Sequence, residues 1–392
     1  MGWTNPRTWL AGEVVTATLL NTHLRDDLLY LYGGRAFSND FRLTLSSGVP
    51  VPTTDVTAAT TIYCTPAGGG NLITLYDGSG NPATITSAQF SIAVPATTAT
   101  TYDIFCYSNS GVPTLELNAW RNSGQAITGA TNATPIVITA NSHGLSNGDE
   151  VYISGVLGNT AANGTWTVAN IAANTFELST SVGNGAYTAA TGYLNARAST
   201  GKLVLTTTGA YTKTADLTRR YLGSFRTTAV SGQTEDSVTK RFLWNYYNRV
   251  PRSLVKQGAS QWNYTTATWR QANADATNQV ETIHGIADTL ISLRLVGLAT
   301  NSIGGLAASV QFGVDSTTAQ YAGQCGGYIA QVSAGVPVNS AVATLEIMPA
   351  VGYHKFTWLE ESQGVGTCTF YGVATLGAGG NVVAGISGWM NG

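Results

Sequence analysis

From Phe37 onward the chain is filled with short runs in which apolar and polar residues alternate, each closed by a turn, and this leaves room for little besides β-structure. Phe41 to Leu45, Thr61 to Cys64, Asn71 to Tyr76, Phe90 to Val94 and Tyr102 to Tyr107 all read this way, with turns such as Asp77-Gly78 between them. A period of two puts successive side chains on opposite faces, so one face can pack while the other meets water. Abundant Thr, Val and Tyr with 45 Gly favour strands and tight turns over helices. Charged residues make up only 10% of the chain, against about 25% in ordinary soluble domains, so hydroxyls and amides solvate the surface. Nine Trp, 18 Tyr and 10 Phe supply the apolar area that offsets chain entropy, and the chain is expected to fold.

One segment breaks the pattern. Thr16 to Tyr32 carries Leu20, Leu24, Leu28 and Leu31 on one stripe, with Thr16 as N-cap and Gly33-Gly34 as the stop. A helix of about four turns is marginal alone in water, so its stripe must dock on another copy or on a partner protein. The 392 residues suffice for two to four domains, and composition divides them. Residues 1–36 form an N-terminal arm and helix; 37–126 begin a β domain; 127–191 form an inserted small β module; 192–252 complete the β domain and a junction; 253–392 form a C-terminal β-sandwich. The insert is marked by the absence of any Lys or Arg between Arg121 and Arg197, and Gly124 and Gly192 read as flexible joints. The stretch Arg219 to Lys256 holds eight of the nineteen basic residues, interleaved with Tyr221, Phe225, Phe242, Trp244, Tyr246 and Tyr247, and reads as a domain junction or subunit contact.

A net charge of -2 gives no long-range field for nucleic acid or anionic membrane, and no run of about 18 apolar residues could span a bilayer. The chain is therefore expected to be made in the cytoplasm as a soluble protein with neither partner. Cys64, Cys106, Cys325 and Cys368 stand singly and read as buried free thiols, with Cys64–Cys106 and Cys325–Cys368 pairings left open. Gly144-Leu145-Ser146-Asn147-Gly148 follows His143 and matches a nucleophile elbow, but a second strand follows it where a helix is needed. Gly78-Ser79-Gly80-Asn81-Pro82-Ala83 reads as a turn and not as a phosphate loop, because Pro82 removes an amide donor. Glu360-Glu361 would point to opposite faces of a strand, which prevents an acid and base from converging. No catalytic residue, cofactor or metal site is expected.

The run Trp3 to Leu28, WTNPRTWLAGEVVTATLLNTHLRDDL, resembles the N-terminal segments of tailed-bacteriophage tail and fibre proteins. RRYLGSFRTT (Arg219 to Thr228) and GQTEDSVTKRFLWNYYNRVPR (Gly232 to Arg252) resemble signatures of phage virion proteins of undefined role. The insert, with PIVITANSHGLSNGDEVYISGV (Pro135 to Val156) and NGTWTVANIAANTFEL (Asn163 to Leu178), resembles a small β module, often carried by phage tail proteins, that is named after the first catalytic-cysteine half-domain of ubiquitin-activating enzymes, but it has no cysteine of its own. The resemblance implies a virion structural protein, mainly β, with a short N-terminal anchor helix and several sandwich or barrel domains in a homotrimeric fibre. Trp3, Trp9, Leu20, Leu24, Leu28 and Leu31 would then contact other copies or other virion proteins of tail, baseplate or capsid. Trp262, Tyr264, Trp269, Tyr353 and Trp358 are candidates for stacking on a host-surface glycan, the alternative host partner being a protein. Rival readings are a head-decoration fibre and a glycan-degrading tailspike; the second normally needs β-helix repeats and a carboxylate cluster, which the sequence lacks.

Overall fold

The computed structural model describes residues 8–25, 38–76, 82–206, 209–304, 307–330, 340–376 and 380–392. The described residues are mainly β, with several sheets and one short α-helix, near the N-terminus. The helix is brief. An α segment, Ala17–Leu20, is capped by the Thr16 hydroxyl, which accepts from the Leu19 amide at 3.2 Å, and a π turn, Asn21–Arg25, follows. The remainder of the expected helix, with Leu28 and Leu31, and also Trp3, lie outside the described residues.

Alternation becomes burial as the sequence requires. In the strand Ile291–Asn301, Ile291, Leu293 and Leu295 point inward and Arg294 outward. In Ala341–Ile347, which pairs with it antiparallel, Ala343 and Leu345 are buried while Thr344 and Glu346 are exposed. Each inward leucine removes a side chain from water, worth about 1.5–3 kcal/mol.

Three cores organise the described residues. In the first, a three-stranded sheet (Phe41–Thr44, Thr61–Pro66, Phe90–Ala93) and a six-stranded sheet built on Thr101–Asn109, Val112–Ala119 and Asp216–Arg226 share Leu43, Ile62, Cys64, Ile104, Cys106 and Phe225. The second underlies two larger sheets. An eight-stranded sheet has Gln279–His284, Gly352–Ser362 and Ala307–Val314 at its heart, and a six-stranded sheet has Pro251–Gln257, Gly385–Asn391 and Ile291–Asn301. Trp358, Phe312, Leu295 and Phe370 pack there with Phe105, Tyr221 and Trp244 from earlier in the chain. The third core belongs to a seven-stranded sheet formed by residues between 122 and 197.

Two domain edges shift. The strands Asn122–Ala126 and Tyr193–Arg197 pair with each other, and Tyr193–Arg197 also pairs with Glu150–Ser154; Leu194 and Ala196 enter the third core. The inserted unit therefore gains one strand at each end over the expected 127–191. The boundary at 252 is crossed as well: the eight-stranded sheet takes Val56–Ala59 and Thr234–Asp236 from one side and Gln279–His284 from the other. Residues 192–252 and 253–392 thus share a sheet and a core, to which Tyr193, Tyr221, Phe242 and Trp244 contribute from the first stretch.

Candidate functional site

The basic and aromatic stretch Arg219 to Lys256 is largely turned inward, although Lys240, Arg249 and Lys256 are only half-buried. Arg220 donates to the Thr74 carbonyl at 2.6 Å and lies over Tyr247; Arg241 and Arg252 share Asp236, each at 2.8 Å; Arg226 stacks on Tyr353 at 3.8 Å. These guanidinium groups cross-link distant strands of one chain. A buried charge left alone would cost several kcal/mol, and each is compensated here by a carboxylate, a carbonyl or a ring face. The same device fastens the inserted unit: Arg197 grips Asp103 through two bonds of 2.7 and 3.0 Å, donates to the Gly285 carbonyl at 2.7 Å, and lies 4.4 Å from the Trp120 ring centre. Burial alone would lower the Arg197 pKa, but Asp103 beside it holds it well above its usual value.

The elbow-like loop at Gly144 to Gly148 lies between the strands Val137–Thr139 and Glu150–Ser154. His143 is committed there: Nε2 bonds the Ala172 carbonyl at 2.9 Å and Nδ1 accepts from the Leu145 amide at 3.1 Å. The Gly78 turn lies largely outside the described residues, and the strand Pro82–Thr86 follows it. Glu360 is buried between Trp262 Nε1 at 2.6 Å and the Arg270 guanidinium at 2.8 Å, whereas its neighbour Glu361 is only half-buried. Burial raises both carboxyl pKa values, opposed at Glu360 by Trp262 and Arg270.

A concavity of about 350 Å³ lies between the inserted unit and the eight-stranded sheet, lined by Ile153, Asn163, Asp315, Tyr321, Met348 and His354. Its titratable groups already satisfy each other. His354 Nδ1 donates to Asp315 Oδ2 at 2.7 Å and Nε2 donates to the Ala350 carbonyl at 2.8 Å. Two donating ring nitrogens define the imidazolium. Burial opposes this charge, but Asp315 and the Ala350 carbonyl raise the pKa above its usual value. His284, with its ring centre 6.2 Å away, is driven well below the usual value by burial and by the charge of His354. Among the described residues no group of three or more His, Cys, Asp or Glu is placed to hold a metal. Cys64, Cys106 and Cys368 are buried free thiols, and Cys325 is free but exposed.

The aromatic candidates separate. Trp262, Tyr353 and Trp358 are buried, so their ring faces are closed to a sugar: Trp262 meets Trp358 edge-on at 5.5 Å and stacks on Phe370, while Tyr353 packs against Phe242. Tyr264 is half-buried under Arg270 at 3.8 Å, and Trp269 is half-buried. Among the described residues of this region the large exposed aromatic is Trp389, 41% exposed on the strand Gly385–Asn391. At the other end of the chain Trp9, Leu20 and Leu24 are 42%, 43% and 53% exposed, and neither helical segment buries any residue.

No protein-family model and no curated protein matches the chain. Solved structures similar to it include one described as the structure of infectious bursal disease virus Gx strain, 11% identical with TM-score 0.19, covering 88% of this chain and 76% of that one, and the crystal structure of the infectious bursal disease virus VP2 subviral particle, 11% identical with TM-score 0.19, covering 77% of this chain and 78% of that one. Likeness at this level carries no weight for function.

Proposed function

We propose that this chain is a structural subunit of a tailed-bacteriophage virion, a fibre or appendage protein that docks through its N-terminal arm and meets the host surface through its distal β region. The reading starts from the sequence resemblance of Trp3 to Leu28, and the observation that carries it further is the state of the arm. Trp9, Leu10, Val14, Val15, Leu20 and Leu24 all stand exposed. Six such side chains in eighteen described residues are costly in water, since each forgoes part of the about 1.5–3 kcal/mol that full burial supplies, so they fit a segment whose cover is another protein. The body, by contrast, is closed by three cores and by inward-facing ion pairs, as befits a rigid spacer.

The experiment is a truncation. Removal of residues 1–34 should abolish incorporation into particles and leave a soluble body with an unchanged melting transition. Truncated protein recovered in assembled virions would refute the anchor.

A further inference from the structure

We propose that the outer face of the sheet around Trp389 binds a neutral hexose saccharide. The face is laid out in two rows across the strands. Trp389 stands opposite Ser292, and Ser292 opposite Glu346; one row over, Ser387 stands opposite Arg294, and Arg294 opposite Thr344. These residues line an open concavity of about 580 Å³, closed on one side by Gly323 and Cys325. That volume falls within the about 300–1,000 Å³ common for small-ligand sites. From Trp389 to Glu346 is two strand spacings, roughly 10 Å, about the length of a disaccharide.

What singles out this face is that its polar groups are uncommitted. Arg294 is the one arginine among the described residues with no hydrogen bond, ion pair or aromatic contact; the others are paired, stacked or bonded to carbonyls. Glu346 lies diagonally across from it, yet no salt bridge joins them, and the side chains of Ser292, Ser387, Thr344 and Trp389 make no hydrogen bond among the described residues. A pyranose has an apolar C–H face that covers an indole ring and a rim of hydroxyls that both donate and accept. Trp389 suits the first, while Arg294 as donor, Glu346 as acceptor and three hydroxyls suit the second. One positive and one negative group cancel, which favours a neutral sugar over an acidic one that Glu346 would repel. A protein partner would call for a broader apolar centre than a single tryptophan.

This inference deepens the host-adhesion reading but is tested apart from it. Full-length protein is titrated calorimetrically with maltohexaose, cellohexaose, mannohexaose and an acidic control, oligogalacturonate. At least one neutral hexaose should bind at millimolar concentration or below. Trp389→Ala should weaken that binding about tenfold or more, Trp389→Tyr should retain most of it, and Arg294→Gln should weaken it without altering the melting transition. The proposal is overturned if no neutral saccharide binds at millimolar concentration, if only oligogalacturonate binds, if Trp389→Ala binds undiminished, or if Trp389→Ala changes the solution mass, which would make the face a subunit interface. Protein located in virions that binds none of these sugars would sink this site alone; sugar binding by protein absent from virions would sink the virion reading alone.

Discussion

His354 and Asp315 show how much of the chain's scarce charge is spent inside it. Both are nearly inaccessible, and the imidazolium is held by a carboxylate and a carbonyl. Because the folded pKa of His354 is raised, its contribution is fully present below the unfolded value of about 6.5 and fades as pH climbs through the folded value. His284 works in the opposite sense: it stays neutral when folded, so the unfolded state gains a proton that the folded state refuses as pH falls below about 6.5. Asp315→Asn leaves a buried imidazolium without its counter-charge and should destabilise the fold by about 3 kcal/mol near pH 6. Chemical denaturation across pH checks this; the gap to the parent protein should narrow above pH 6.5, and a gap that widens there would contradict the charged assignment. At this scale sequence reasoning misjudged two glycines. Gly124, with φ +103°, faces the rings of Tyr193 and Tyr353, where a Cβ would lie 2.7 Å away; at Gly192, with φ +94°, a Cβ would meet Val156 at 2.5 Å. Close approach demands glycine at both places, and neither is a loose joint.

Individual strands were legible because their alternation is local: the expected runs that begin at Phe41, Thr61, Asn71, Phe90 and Tyr102 all coincide with strands. Their partners were not legible, because pairing is set by chain closure over long distances. Val56–Ala59 joins Thr234–Asp236, and Lys240–Arg241 runs parallel to Gln279–His284, and no periodicity within either segment encodes the other. Aromatic type was equally silent about burial. Trp262 and Trp358 lie under neighbouring strands, and Trp389 stands outside on a strand, GISGWMN, whose glycines blur the alternation. The inserted unit shows both sides. Its compositional edges were visible, but the flanking strands that complete its sheet carry no mark. Ala126 and Tyr193 are register partners, so the chain leaves and re-enters at adjacent positions. Excision of 127–192 with an Asn-Gly turn in its place should therefore preserve cooperative melting, at a cost of about 2 kcal/mol from uncovering Leu194. The 122–197 piece, which retains its own core, should fold alone by circular dichroism. Aggregation of the first and disorder of the second would show one continuous core.

At the scale of the whole molecule, the apolar arm and the uncommitted face at Trp389 are surfaces of the described residues that lie outside the cores and the inward ion pairs. Symmetric association would answer both. If three copies pack their arms about a common axis, Leu20 and Leu24 are buried against their equivalents, and three weak faces act together. Linked sites of modest affinity can gain about 10²–10⁴ in avidity without any new contact, which suits adhesion to a repetitive surface. The full-length protein should accordingly scatter light as a trimer, three times the 40.9 kDa of one chain. Leu20→Lys with Leu24→Lys places like charges together at that axis and should yield monomers whose body melts normally, since neither leucine touches the three cores. A parent protein that is monomeric at micromolar concentration would remove the trimer. A trimer that survives both lysines would move its contacts from the arm to the β body.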